Sequence, residues 1–364
     1  MGRLERGVPL APFTTFGLGG SAAFWADEVS ADDLPAVASA IVGATGAPPL
    51  ILGDGSNLLV ADGAIARGVI RLGGRGLTFG PSWGSAADVI VDAGTPWDHF
   101  VAQTVEAGLQ GVECLSGIPG RVGAAPIQNI GAYGQEVSDT VVAVEGLDLR
   151  SGDMVSLAAS ECAFGYRTSR FKLGDGTFVV TRVHFRLHTE APPTVTYRDV
   201  AQALLAVREP TLPMVRDCVL AIRRQKSMVV DASDPNHRSA GSFFTNPVVS
   251  VGHADALAAE HGATFPRYAS ASGVKLSAAW LIEHAGITRG FVLGPARVST
   301  RHTLALTAAS PDCRSHDIVR LAALIRRAVR RRFDITLEPE PIFVGYDQPA
   351  ATVLDEAEES LQNG

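Results

Sequence analysis

Cysteine is scarce and scattered in this chain: Cys114, Cys162, Cys218 and Cys313 are the only four in 364 residues, and no two form a Cys-x-x-Cys pair. That spacing excludes a disulfide scaffold and a thiolate zinc site, and leaves reduced, partly buried thiols in a cytosolic protein. None of the nine histidines forms a His-x-x-x-His pair in a segment read as helix, so no metal site is expected. Positive charge is also in deficit, with 31 Lys and Arg against 38 Asp and Glu. A net charge of -7 and a pI near 5.7 exclude a broad footprint for nucleic acid or an anionic membrane. No apolar run reaches membrane-spanning length, and Met1-Gly-Arg-Leu-Glu-Arg6 lacks the apolar core of a secretory leader and the residue that myristoylation wants at position six. A cytoplasmic location follows as an expectation, and nothing calls for an obligate protein partner.

Glycine and proline are plentiful instead: 38 and 21, dispersed in short clusters, as tight turns between strands require. With 46% hydrophobic and 19% charged residues the chain reads as globular, and its length suits two or three domains of α+β class.

Along the chain, Leu34, Val37, Ala38 and Ile41 repeat at helical spacing. Pro48-Pro-Leu-Ile-Leu52 reads as a buried strand, followed by Gly53-Asp-Gly-Ser-Asn57 and a second strand, Leu58-Leu-Val60. A dinucleotide fingerprint would open a helix there and carry a third glycine, and this loop does neither. Its N–H groups suit a phosphate nest, and a plain hairpin loop would use the same residues. A β-rich stretch from Gly68 to Asp92 is followed by helix at Pro96 to Glu106. The segment from Gly111 to Gly134 then punctuates small residues and carboxamides with glycines, a composition that can lie flat against a large ligand or serve as a series of turns.

Strand-like runs Val141 to Leu149 and Phe178 to Leu187 bracket Cys162 to Lys172, where aromatics alternate with cations. Arg167 and Lys172 there are candidate partners for an anion or enolate. A helix carrying Val219, Ile222 and Arg223 ends near Lys226, and the loop from Asp231 to Asn236 opens a further domain. That domain contains Arg238-Ser-Ala-Gly-Ser-Phe-Phe-Thr-Asn-Pro247, which sets Ser242 on a glycine turn between apolar walls. Read alone it is a turn before a strand; it lacks the second glycine of a nucleophile elbow. Lys275 to Ile282 reads as helix, as does His316 to Phe333, whose arginines Arg326, Arg327, Arg330, Arg331 and Arg332 read as a solvated face. Beyond it, Glu338 and Glu340 alternate between prolines, so they share one face if extended, as an edge strand or bulge.

Taken in order, Gly53 to Asn57, Gly117-Ile-Pro-Gly120, Gln128-Asn-Ile-Gly-Ala-Tyr-Gly134, Tyr166-Arg167, Ala240 to Pro247 and Leu337-Glu-Pro-Glu340 resemble the UDP-N-acetylenolpyruvoylglucosamine reductases, the MurB family, over Thr14 to Gly345. The resemblance implies a FAD-binding fold of the vanillyl-alcohol-oxidase (PCMH) type. It places one FAD subdomain at 1–75, joined by a C-terminal strand at about 336–346, a second at 76–225, a third α+β substrate-binding domain at 226–335, and a disordered acidic tail at 347–364. It implies non-covalent FAD, NADPH as hydride donor, and reduction of a UDP-sugar enolpyruvyl ether, with hydride added at C3, for peptidoglycan.

By resemblance FAD is held by Gly53, Asp54, Gly55, Ser56, Asn57 and Leu58, by Ser116, Gly117, Ile118, Pro119, Gly120, Gly123 and Ala124, and by Gln128, Asn129, Gly131, Ala132, Tyr133 and Gly134. Ser242 is the proton donor to C2, and Arg167 and Glu340 stabilise the enolate, Glu340 best as a neutral donor. Val195-Thr-Tyr-Arg-Asp-Val200 resembles the substrate-capping loop of the first subtype, which makes Tyr197 the candidate contact to the UDP moiety. Lys226, Asn246, Tyr268 and Lys275 match further substrate positions, the two lysines suiting a diphosphate, and His302 stands where some members carry glutamine. The alternatives are another flavin-dependent oxidoreductase of the same fold, or a nucleotide-binding module without catalysis. The first would favour a histidine or cysteine flavin tether, and the second would not need Ser242, Arg167 and Glu340 together.

Overall fold

The computed structural model describes residues 4–174, 176–262, 265–270 and 272–363, and the chain divides into two compact units. The first takes Met1–Val8, Ala22–Asp54 and Ala66–Val230; the second takes Pro9–Ser21, Gly55–Ile65 and Asp231–Gly364.

In the first unit a smaller sheet sets Ile65–Leu72 between Ser21–Val29 and Leu50–Ile51, the last pairing parallel. The helix Leu34–Thr45 buries Leu34, Val37, Ala38 and Ile41, the stripe legible in the sequence, and ends at Gly46 in the left-handed region (φ 69°). It packs closely: a Cβ on Gly68 would stand 2.4 Å from Ile41 Cγ2. The larger sheet is antiparallel, in the order Met154–Ala158, Val141–Asp148, Phe178–His188, Ala86–Asp92, Leu77–Trp83. The strand Ala86–Asp92 alternates burial residue by residue, as a half-buried strand must. Helix Trp97–Glu106 contributes Trp97 and Phe100, whose rings pack with Phe185 at 4.6–6.2 Å, and the buried Trp97 Nε1–H donates to Leu115 O at 3.0 Å. Helix Leu212–Gln225 buries Val215, Val219 and Ile222, and its N-cap Thr211 accepts from the Met214 N–H.

In the second unit the helix Ser315–Phe333 is central, burying Ile318, Leu321, Ala322, Ile325 and Val329. Its first turn is capped by Asp62, which accepts from the N–H groups of Ser315 and His316 at 2.8 and 3.0 Å. The strand Ile342–Val344 pairs in parallel with Leu58–Val60, so the chain beyond the long helix returns to the strand that follows the Gly53 loop.

Three expectations need correction. Lys275 is not helical: it lies in the strand Gly273–Leu276, and the helix starts afterwards at Ala278–His284, because Ser277 caps it by accepting from the Trp280 N–H. The tail is not disordered: Ala350–Asn363 is a helix whose Leu354 and Ala357 are buried in the core of this unit. The arginines of the long helix are not all a solvated face. Arg326 is 4% exposed and pairs with Asp355 at 2.5 Å and Glu358 at 3.4 Å, while Arg330 also binds Glu358. An acidic helix read in isolation shows its charge, whereas its docking depends on arginines about thirty residues away.

Candidate active site

Ser242 follows Gly241, whose φ of +71° permits the turn. Arg238 anchors the segment ahead of it, its guanidinium donating to Phe16 O, Gly17 O and Ser310 O at 3.0–3.2 Å. From Ser242 onward the segment is flanked on both sides by isolated bridges. Phe243 N–H donates to Leu304 O at 2.7 Å, and Ser242 bridges to Ala305. On the other flank Glu340 N–H donates to Phe243 O at 2.8 Å, and Thr245 N–H donates to Glu338 O at 3.0 Å. Phe243 and Phe244 are each 1% exposed, whereas Ser242 and Glu340 are half-buried and Glu338 is exposed. A three-stranded ladder therefore fixes Ser242 and Glu340 on adjacent backbones. Asn57 joins the same ladder, its Nδ2 donating to Glu340 O at 3.3 Å and its carbonyl accepting from the Ile342 N–H.

The glycine loops have a specific geometry. Among the described residues no group accepts a hydrogen bond from the N–H groups of Gly53, Asp54 or Gly55, and Gly55 is buried at φ +58°. Consecutive N–H groups left this way suit an anionic group such as a diphosphate. Beside them Arg121, 8% exposed, donates to Asp54 at 2.9 Å and to Leu72 O at 2.9 Å. The loop from Ser116 to Ala124 is laced to the turn after Ala86–Asp92: Gly123 N–H donates to Ala93 O, and a Cβ on Gly123 would stand 2.5 Å from the Ala93 Cβ. Gly117 (φ +71°) donates its N–H to Asp98 at 2.6 Å, and Asp98 in turn takes two hydrogen bonds from Arg216. Burial works against the Asp98 charge, but Arg216 and the Gly117 N–H outweigh it and hold its carboxyl below the usual range. A cavity of about 400 Å³ opens in this unit, lined by Leu72, Gly73, Ala93, Gly94, Thr181 and Arg182 among others, so it borders the residues that Arg121 and Gly123 grip. These side chains and backbone groups fit FAD: unpartnered N–H donors, glycines too tightly packed to carry a side chain, and a buried guanidinium at one loop.

The remaining flavin-side candidates divide in role. Asn129 is 1% exposed and fully engaged, donating to Glu136 and Gly165 O and accepting from the Ser138 N–H, so it shapes its loop. Gly131–Ala132 pairs with Gln135–Glu136, and the hairpin turns at Tyr133 and Gly134, both at positive φ. Arg167 docks on this hairpin, donating to Gly131 O at 2.6 Å and Asn129 O at 3.4 Å, while Lys172 Nζ donates to Arg167 O. Tyr197 meets Tyr133 edge-on at 5.2 Å, and Lys226 lies 5.9 Å over the Tyr133 ring. Arg223, 9% exposed, donates to Met228 O at 2.6 Å and keeps a buried Nε without a partner among the described residues.

In the second unit Tyr268 and Lys275 stand directly opposite on paired strands, with Tyr268 55% exposed. Asn246 accepts the Ala278 N–H at 2.9 Å and so caps the helix Ala278–His284, while His302 Nδ1 accepts from the Leu304 N–H at 3.3 Å. Arg167, Tyr197 and Lys226 thus belong to the first unit, and Ser242, Asn246, Tyr268, Lys275, His302 and Glu340 to the second. Sequence reasoning missed Asp98, Arg121, Arg216 and Asp199. Only Arg121, directly after Gly-Ile-Pro-Gly, and Asp199, two residues past Tyr197, carried a usable signal in their position.

The model of the UDP-N-acetylenolpyruvoylglucosamine reductase C-terminal domain matches residues 234–344, and that of an FAD binding domain matches residues 29–158. The UDP-N-acetylenolpyruvoylglucosamine reductase of Thermobifida fusca is 46% identical over 352 residues, covering 93% of this chain and 98% of the relative. The chain belongs to this reductase family. A second reductase of the same name, from Nocardia farcinica, is 44% identical over 94% of this chain and 90% of its own. The crystal structure of the reductase from Thermus caldophilus superposes with a TM-score of 0.63 at 27% identity, covering 94% of this chain and all of that one. The fold is accordingly the FAD-binding α+β fold that the motif order implies, and the chain is an FAD-dependent oxidoreductase that uses NADPH in the reductase step of peptidoglycan precursor synthesis. Its substrate is a UDP-sugar, and among the described residues no helix is long and apolar enough to cross a membrane.

Proposed function

We propose that in this chain Ser242 protonates C2 of the enolpyruvyl ether while Arg167 and Glu340 stabilise the charge that develops there. Held by the glycine loops, FAD would supply hydride chemistry at C3, with NADPH as the donor. Negative charge then builds at C2 and on the adjacent carboxylate, and donors already aimed at it lower the barrier without reorganising. A serine hydroxyl is a weak acid in water, so it serves only beside a strongly basic carbon with water excluded. The observation that carries this reading is the ladder that holds Ser242 and Glu340 on neighbouring backbones through the Phe243–Glu340 hydrogen bond. Gly53 to Leu58, Ser116 to Ala124 and Gln128 to Gly134 are the flavin loops, with Asn129 acting through loop shape. Tyr197 and Lys226 receive the UDP moiety in the first unit, and Asn246, Tyr268, Lys275 and His302 are the substrate-side residues of the second, Asn246 acting at least in part as a helix cap. The chain works in the cytoplasm without nucleic acid or an obligate protein partner, and FAD subdomains at 1–75 and 76–225 with a substrate domain at 226–335 describe its organisation.

The test is spectroscopic. The purified protein is yellow, NADPH bleaches it, and the enolpyruvyl UDP-sugar restores the colour without oxygen. Ser242→Ala leaves bleaching by NADPH intact and slows recolouring by at least about tenfold. Unchanged recolouring would remove Ser242 from the role.

A further inference from the structure

The Tyr197 segment carries a carboxylate that no part of the reaction uses. Asp199, in the first turn of the helix Arg198–Ala203, accepts from Lys226 Nζ at 2.8 Å. The segment is seated at two further points. Tyr197 packs edge-on against Tyr133, and Gly134 lies so near Thr196 that a Cβ there would stand 2.6 Å from Thr196 Oγ1. Lys226 is thus held between the Asp199 carboxylate and the face of Tyr133. Burial works against its charge, but the Asp199 hydrogen bond and charge, together with Tyr133 and Tyr197, outweigh it and hold the ammonium above its usual pKa.

We propose that Asp199 sets a binding threshold at this cluster: its ion pair neutralises Lys226 until a ligand arrives that brings both a ring for the exposed Tyr197 and a diphosphate for the ammonium. This rests on reading Tyr197 and Lys226 as the UDP-binding side. Both partners are more than a third exposed, 35% and 42%, so the pair is weak and a dianion can displace it. A simple anion must break the same pair, meets the Asp199 carboxylate beside the ammonium, and gains nothing from the rings. Both ligands meet the cost of opening the pair, and only the nucleoside diphosphate offsets it with a ring contact.

Titration calorimetry on the flavin-loaded enzyme, with UDP and inorganic pyrophosphate as probes, tests this. Wild type binds UDP and discriminates against pyrophosphate. Asp199→Asn tightens pyrophosphate by about two- to fivefold, and UDP by a similar factor, because the competing carboxylate is gone. Asp199→Glu, which restores the charge, returns both affinities toward wild type, and Lys226→Met in the Asp199→Asn background cancels the gain. In steady state KM for the UDP-sugar falls in Asp199→Asn while kcat holds. An unaltered flavin spectrum and melting temperature show that the variant is folded, and Ser242→Ala, a test of the proton-donor role, leaves the pyrophosphate effect in place. Pyrophosphate affinity that is unchanged or weaker in Asp199→Asn, with UDP binding retained, overturns the latch alone. A wild type that does not bind UDP overturns both the latch and the substrate reading of this cluster.

Discussion

At Glu340 the side chain and the backbone are separable, and the mutational prediction turns on that. Its N–H is tied to Phe243 O and its carbonyl to Asn57, so the ladder persists when the carboxyl is changed. Glu340→Gln is therefore expected to keep its FAD and its rate of reduction by NADPH, and to lose about tenfold to a hundredfold in reoxidation by substrate. A defect confined to FAD retention, read from the absorbance ratio of the purified variant, would point to a structural role instead. Gly123 gives the opposite case, in which position alone decides. An added methyl would overlap the Ala93 Cβ at 2.5 Å inside a tight loop, so Gly123→Ala costs about 1–3 kcal/mol of overpacking and sheds flavin more readily. Denaturant unfolding with and without added FAD measures both.

Elements differ in how much of themselves they carry locally. The helix Leu34–Thr45 was legible because its stripe and proline entry lie within it and its glycine exit, Gly46, directly follows it. The glycine loops were legible for the same reason, since a glycine declares a backbone requirement at its own position. Ion pairs are not legible: Arg121 with Asp54, Arg216 with Asp98, and Arg326 with Glu358 join residues far apart, and no local pattern marks which charge meets which. The helix Ala350–Asn363 shows the cost of that blindness. Its acidity resembles a solvated tail, but Glu358 is 2% exposed against Arg326 and Arg330. Burial pushes the Glu358 carboxyl up, ahead of the opposing pull of Arg330 and Arg326. A carboxyl raised in the folded state contributes most below its unfolded value, about 4.3, and loses that contribution as pH rises through the folded value. At pH 7, Glu358→Gln should accordingly match or exceed wild type in stability, whereas Glu358→Ala, which leaves Arg326 with less of its partner set, should cost about 1–3 kcal/mol. Chemical denaturation of the three proteins at pH 7 gives the order, and an Ala variant equal to Gln would mean that the pairing is without consequence.

For the molecule as a whole, the scattered thiols and the flavin chemistry converge on one measurement. Cysteine spacing excluded disulfides, and all four thiols are free in the structure, with Cys114, Cys162 and Cys313 buried. Burial pushes Cys114 up to about 12 and Cys162 and Cys313 up to about 11. At pH 8 a thiol with a pKa near 11 is thiolate in roughly one molecule per thousand, and the thiolate is the reactive form. Burial restricts the reagent as well, so ionisation and access act in the same direction. Cys218, half-buried and also shifted upward, is the thiol left to react first. The native enzyme should therefore release at most one equivalent of chromophore from a disulfide reagent at pH 8 on the timescale of minutes, and four in denaturant. A flavin held without a cysteine or histidine tether should appear in the filtrate of that same denatured sample. Fewer than four thiols together with yellow colour retained on the precipitate would mean that a cysteine carries the cofactor, which would remove the non-covalent reading of the site.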